Sequence, residues 1–219
     1  MKVHSSKSVR TPHSAFVICN GEPPSRRLAK RLARNADIIV AADGGANAAR
    51  RLGITPHIII GDLDSVSRST REFFSSALVF RVKRQDNTDL EKALDYLVDR
   101  NVNDVTIICA TGRRIDFTFG NFSVAWNYTS SMRLTFVGDG WRANPVTSPS
   151  QFSAPPKTTV SLIPFGHCSG ITLKGLQYPL SNATMRVGEI GVSNVVKKSP
   201  FRVKVRRGKM LVFIMDGAW

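Results

Sequence analysis

Short apolar runs alternate with helical periods along the first two thirds of the chain. The run AFVIC at 15–19 is followed by PPSRRLAKRLAR, a basic helix with prolines at its start. DIIVAAD predicts a second strand, and ANAARRLG a helix closed by Gly53. HIIIGD predicts a third strand, and STREFFSS a helix capped by Ser69 with Glu72. ALVFRV is strand-like. TDLEKALDYLVDR is the clearest helix, because Leu90, Ala93, Leu94 and Leu97 share one face. DVTIICA reads as another strand, IDFTFGNFSVAWNY as a second amphipathic stretch, and RLTFV as a further strand. Such alternation predicts an α/β fold: a mostly parallel sheet flanked by helices on both faces, with ligands at the carboxyl ends of the strands.

The pattern changes at residues 138–157, which are rich in Pro, Ser and Gly and read as a domain junction. Beyond it the pattern predicts strands alone: TTVSLIPF, GITLKGL, ATMRVG, GVSNVV, FRVKV and KMLVFIM. Six short strands separated by turns suggest a small all-β, sandwich-like domain or a barrel. The expected organisation is a flexible N-terminal tail at 1–14, an α/β domain at 15–140 and a β-sandwich domain at 141–219. In FRVKV, apolar Phe201, Val203 and Val205 alternate with Arg202, Lys204 and Arg206. Arg207-Gly208 then predicts a turn into KMLVFIM, giving a half-buried hairpin with a solvated basic face.

Charge sharpens this division. The 219 residues carry a net charge of +15, and 13 of the 16 acids lie between Glu22 and Asp116. Beyond Asp116, three acids face 12 Lys and Arg. Such a field favours polyanions: nucleic acid, a nucleotide or a phosphorylated substrate. The basic strand has no interleaved aromatics on which bases would stack, which argues against a nucleic-acid groove. No run of 18 apolar residues exists, so no transmembrane helix and no membrane partner are expected. The N-terminal segment lacks the apolar core of a secretory signal. Cys19, Cys109 and Cys168 are far apart and form no CxxC pair, which argues against a disulfide framework or zinc site and for a reducing cytoplasm.

The acids recur where strand hands over to helix. Asp43 ends DIIVAAD and precedes Gly44-Gly45; Asp62 and Asp64 follow HIIIG; Asp86 and Asp89 follow ALVFRV; Asp116 follows DVTIICA. A doubly wound sheet gathers those points at one edge, where several carboxylates make a hard oxygen site suited to Mg²⁺ bridging phosphates. On an extended strand, Asp62 and Asp64 would point the same way. Each acid also has a structural reading: Asp64 or Ser65 as a helix cap, Asp89 as a partner of a helix dipole, Thr88 with Glu91 as a capping box. Gly44-Gly45 before a helix fits either phosphate binding or a plain turn. Arg113 and Arg114 fit phosphate oxygens or a solvated pair. His4, His13, His57 and His167 show no metal-ligand spacing. GxGxxG, GxxxxGK[ST], HExxH and GxSxG are absent, which excludes a typical dinucleotide-binding or P-loop enzyme.

Taken in order, DGGAN at 43–47, LGITPHIIIGDLDS ending at Ser65, DNTDLEKAL at 86–94 and TGRRID at 111–116 followed by Asn121 resemble thiamin pyrophosphokinases. VSLIPF, GITLKGLQYPL and GVSN in the second half resemble that family's thiamin-binding β-domain. The resemblance implies transfer of pyrophosphate from ATP to thiamin, with Mg²⁺ and release of AMP, in a homodimer with shared active sites. It makes Asp62, Asp64, Asp86 and Asp116 the catalytic and metal acids. It places Asp43, Gly44, Gly45, Asn47, Thr88, Asp89, Arg114 and Asn121 around ATP, and Ser193 and Asn194 at thiamin. The sequence departs from the family pattern in carrying Arg113 where a second glycine is frequent, Phe117 where a polar residue is, and Arg84-Gln85 before Asp86. Two rivals are another phosphotransferase on this fold, acting on a different alcohol, and a basic nucleic-acid-binding protein with a vestigial site. Acceptor comparison separates the first, and salt-sensitive binding without ATP turnover marks the second.

Overall fold

The structure is a computed structural model that describes residues 12–83, 86–189 and 191–215; most of the expected tail and the Arg84-Gln85 departure lie outside them. In the first half, strands β1 (Ser14–Ile18), β2 (Ile38–Ala42), β3 (Ile58–Gly61), β4 (Leu78–Arg81), β5 (Asp104–Ile108) and β6 (Arg133–Gly138) alternate with helices. The helices are α1 (Arg26–Ala33), α2 (Gly45–Leu52), α3 (Arg68–Phe73), α4 (Asp89–Val98) and α5 (Ile115–Val124). These six strands pair in parallel in the order β6-β5-β1-β2-β3-β4. The order reverses at β1 and β5, so right-handed crossovers put α1 to α3 on one face and α4 and α5 on the other. Phe16, Val17, Ile59 and Ile107 are fully buried between these layers, which is why these strands read as unbroken apolar runs.

The second half does not begin a separate sheet. The stretch read as a junction carries two strands, β7 (Trp141–Val146) and β8 (Ser150–Phe152). The β7 strand folds back antiparallel on β6 across Asp139-Gly140, with Ala143 and Val146 buried. The four prolines and three serines of residues 138–157 hid that short inward alternation. The six strands predicted beyond it follow as β9 (Thr159–Pro164), β10 (Cys168–Lys174), β11 (Leu180–Met185), β12 (Asn194–Val195), β13 (Phe201–Lys204) and β14 (Met210–Met215). The parallel sheet continues through β7, β14, β9 and β12 to ten strands, while β11-β10-β13-β8 forms a four-stranded antiparallel sheet. The two close on a second core, in which Val160, Leu162 and Val212 meet Ile171, Leu173, Phe201 and Val203. The expected hairpin of β13 and β14 is not made. Each strand joins a different sheet, because Val203 and Val212 face each other across the sandwich instead of pairing edge to edge.

Local chemistry decides the element ends. Gly53 closes α2 at φ 67°, in the left-handed region that only glycine enters cheaply. The cap of α3 is Ser67, whose hydroxyl accepts from the Thr70 N–H, and not Ser69; Glu72 pairs with Arg68 in solvent. Ser69 already lies inside the first turn, where its oxygen cannot reach the free amides. Thr88 and Glu91 form the full capping box of α4. Helix α5 is not the expected amphipathic element, since Ile115, Phe117 and Phe119 are exposed. Asp139 ties the halves together by accepting from the backbone and hydroxyl of Ser25, at the start of α1.

Helix α2 can pack on β1 because Gly45 has no side chain: a Cβ there would collide with the Ile18 carbonyl oxygen. Gly120, inside α5, has nothing within 4 Å. Gly45→Ala is expected to lower unfolding stability by more than about 2 kcal/mol, by forcing the helix off the sheet. Gly120→Ala should raise it by up to about 1 kcal/mol, through helix propensity alone. Urea unfolding of the two variants checks the contrast.

Candidate active site

The carboxyl ends of β1, β2, β3 and β5 surround a cavity of about 450 Å³. It lies at the β1/β5 reversal, where the loops after two neighbouring strands diverge and leave a crevice. Asn20 and Gly21 line it from β1, Asp62, Asp64 and Ser65 from β3, Thr88 and Asp89 from α4, and Arg113, Arg114 and Asn121 from the β5 side.

Three acids meet at this edge. One carboxylate oxygen from each of Asp43, Asp62 and Asp64 lies within 4.8 Å of the others. Asp43 sits just beyond β2 at φ 42° and is 1% exposed. Its Oδ2 accepts from the Ser65 N–H at 3.2 Å, and its Oδ1 is buried without a partner among the described residues. Asp62 and Asp64 converge by a different route from the pleat expected of them. β3 ends at Gly61, Leu63 has φ 69°, and Asp62 Oδ1 accepts from the Asp64 N–H, so a tight turn aims both inward. Asn47 braces this turn, donating to the Ser65 carbonyl and accepting from the Ser67 N–H.

Beneath the acids lies a residue that the sequence reading passed over. Lys92 is buried on α4, and its Nζ donates to Asp89 Oδ1 at 2.9 Å and lies 3.8 Å from Asp62 Oδ2. Its i,i+3 spacing from Asp89 is the one signal in the sequence, and solvated pairs show it equally often. Burial raises the carboxyl pKa of Asp43 against the lowering bond from Ser65, and the charges of Asp89 and Asp62 add to the rise. Asp89 is raised by burial too, against the pull of Lys92. Burial lowers the Lys92 pKa, but the Asp89 bond and the charges of Asp89, Asp62 and Asp43 outweigh it, so the ammonium stays charged.

Asp86 and Asp116 stand outside this trio. Asp86 is exposed. Asp116 is exposed on α5 and ion-paired to Arg114, which holds its carboxyl below the usual range. Arg114 also stacks over the Phe117 ring, 4.2 Å from its centroid, at the cavity edge. Arg113 sits at φ 53°, a left-handed conformation that a glycine adopts more cheaply. Asn121 donates to the Ala110 carbonyl at 2.7 Å and lines the cavity. Gly44 and Gly45 serve close packing: a Cβ on Gly44 would strike Asn20.

Ser193 and Asn194 lie at the opposite edge of the ten-stranded sheet. The eight strand spacings from β12 to β3 amount to roughly 35 Å or more. Asn194 is buried and engaged with the backbone of Tyr178 and Val195, while Ser193 is exposed. The chain therefore brings Asp43, Asp62, Asp64, Thr88, Asp89, Arg114 and Asn121 to one crevice edge and leaves Ser193 and Asn194 remote from it.

A hard divalent cation fits what is present: clustered carboxylate oxygens, one of them buried and unpartnered. Fold and site together define an α/β protein whose crevice suits a cation and phosphate groups. The comparisons with known proteins narrow this class. Residues 29–136 match the thiamin pyrophosphokinase catalytic domain and residues 150–210 its vitamin B1 binding domain. Thiamine pyrophosphokinase 1 of Arabidopsis thaliana is 29% identical over 87% of this chain and 82% of its own length. The thiamine pyrophosphokinase of Bacillus subtilis is 27% identical over 68% of this chain and 73% of its own. Its crystal structure superposes with a TM-score of 0.81 at 21% identity, covering 94% of this chain and all of that one. That of the Candida albicans thiamin pyrophosphokinase gives 0.80 at 16%, over 94% of this chain and 90% of that one. The chain belongs to the thiamin pyrophosphokinase family.

The raised carboxyl of Asp43 has a thermodynamic consequence. A group that binds its proton more tightly folded than unfolded contributes stability that is present at low pH and lost as pH rises through its folded pKa. At neutral pH without metal, Asp43→Asn should therefore melt higher than the parent, and the gap should close on acidification. Melting curves in EDTA across the acidic to neutral range check both the gain and its disappearance.

Proposed function

We propose that this protein transfers the pyrophosphoryl group of ATP to the hydroxyl of thiamin, releasing thiamin diphosphate and AMP with the help of Mg²⁺. The observation that carries the reading is the convergence of Asp43, Asp62 and Asp64 at the crevice edge, in a chain of this family. The hydroxyl oxygen forms a bond to the β-phosphorus, the bond from that phosphorus to the α-bridging oxygen breaks, and the hydroxyl proton is released. Bound at these acids, Mg²⁺ would neutralise charge on the phosphate oxygens. The remaining work falls to the chain's own groups. Arg113 and Arg114 line the cavity wall and on this reading would meet phosphate oxygens. Thr88, Asp89 and Leu90 bring the start of α4 to the cavity wall, where the helix dipole favours phosphate charge. Asn121 is anchored by Ala110 and presents a fixed polar wall.

Thiamin, on this reading, meets Ser193, whose hydroxyl can donate and accept toward an aminopyrimidine, while Asn194 holds the turn that presents it. Because one chain holds Ser193 far from Asp62, the reading includes a homodimer in which each crevice is completed by the other chain. Among the described residues no helix is long and apolar enough to cross a membrane. Three buried, unpaired thiols support a reducing cytoplasmic setting.

Purified protein with Mg-ATP and thiamin should yield AMP and thiamin diphosphate in equal amounts. Asp62→Asn and Asp64→Asn should each cut turnover by about 100-fold or more while leaving the fold intact. Near-parental turnover in both variants overturns the reading. A Ser193→Trp chain should be inactive alone but regain activity when mixed with an Asp62→Asn chain, because one crevice of the mixed dimer carries neither lesion. No recovery after demonstrated chain exchange overturns the shared site.

A further inference from the structure

Lys92 stands where a lysine is costly. Its side chain is 3% exposed, it is absent from the cavity wall, and it lies behind the carboxylates on the core-facing side of α4. A buried ammonium persists only if paired, and the same ion is the near neighbour of two acids that occupy different elements. Asp89 belongs to α4 and is bonded to it at 2.9 Å; Asp62 belongs to the turn after β3 and stands 3.8 Å away. Asp43, at the end of β2, adds a third charge within electrostatic reach. Leu90, Ala93, Leu94 and Leu97 fix the helix that carries the lysine into the core, so the ammonium cannot swing out to solvent. Toward the cavity, meanwhile, Asp62, Asp64 and Asp89 keep open faces.

We propose that Lys92 is a positioning residue: a built-in counter-ion, set beneath the carboxylates, that holds Asp62 and Asp89 in place before the divalent cation and nucleotide arrive. This role rests on the reading of the acidic group as a divalent-cation site. It makes an opposed pair of consequences. The ammonium repels an incoming cation, so its removal tightens cation binding. It also orients Asp62, so its removal misplaces the phosphates and slows turnover. A lysine that merely supported the fold would weaken both together.

The test uses Lys92→Met, which keeps length and apolar stem, and Lys92→Arg, which keeps the charge. Mn²⁺ binding is followed by electron paramagnetic resonance, and melting is followed with Mg²⁺ or EDTA. Lys92→Met should bind Mn²⁺ about tenfold more tightly than the parent, as expected when one unit charge is removed a few ångströms from a divalent ion. Its melting temperature should drop in EDTA and recover in Mg²⁺ by a wider margin than the parent's, while its kcat falls at least about tenfold. Lys92→Arg should keep the parent's Mn²⁺ affinity and EDTA response. Equal or weaker Mn²⁺ binding by Lys92→Met overturns the counter-ion role. If Lys92→Met does not fold in EDTA, folding on addition of Mg²⁺ supports the role. Failure in both conditions turns the test to Lys92→Gln, which removes the charge but keeps a polar head that Asp89 can bond; folding of that variant without tighter Mn²⁺ binding than the parent, or its failure to fold with Mg²⁺, overturns the role. A parent protein that binds no Mn²⁺ overturns the cation-site reading itself, an outcome distinct from a Lys92→Met variant that behaves like its parent.

Discussion

Like charges held close together are the constraint around which this molecule is arranged. Carboxylate oxygens of Asp43 and Asp62 lie within 4.8 Å, and at an effective dielectric of 20 such a pair repels by about 3 kcal/mol. A domain's whole stability is about 5–15 kcal/mol, so the cost is a sizeable fraction of it. The acids are kept together by covalent and packing devices that cannot relax. Asp43 follows a buried strand, Leu63 takes a left-handed turn between two acids, and Asn47 ties that turn to α2. Lys92 offsets part of the repulsion from below.

The scaffold explains why the strain falls at this edge. Six parallel strands present their carboxyl ends on one side, and the reversal at β1 and β5 opens the crevice there. Burial of β1 and β3 on both faces makes that edge rigid. The strain is thus placed where stable elements surround it and where a cation and phosphates would relieve it. The Arg113 backbone conformation, at φ 53°, is a second strained point on the same rim.

The second half is bound to the first more closely than its composition suggests. β7, β9, β12 and β14 extend the parallel sheet, so the sandwich is built on the catalytic half's own sheet. Leu211 packs in the first core while its neighbours Met210 and Val212 pack in the second. That alternation along β14 couples the two cores mechanically. Ser193 precedes β12, at the far edge of that same ten-stranded sheet from Asp62.

Much of this was legible in the sequence because it depends on local pattern. Unbroken apolar runs reported strands buried on both faces, Gly53 and the Thr88–Glu91 box reported helix ends, and acids at strand ends reported the crevice. Motif order was enough to carry the family resemblance. Other features depend on which elements become neighbours, and no local pattern encodes that. Ser67 rather than Ser69 caps α3, because the cap depends on which amides are left free. β13 and β14 part into different sheets, because side chains facing across a sandwich and strands paired in a hairpin share the same alternation. Asp43, and not Asp86 or Asp116, joins Asp62 and Asp64, because β2 and β3 are adjacent while Asp116 is held outward by Arg114. Lys92 reads in sequence as one more charge on a helix. Tertiary packing alone buries it, by laying α4 across β2 and β3 and bringing its ammonium, already bonded to Asp89 of its own helix, under Asp62 of the turn after β3.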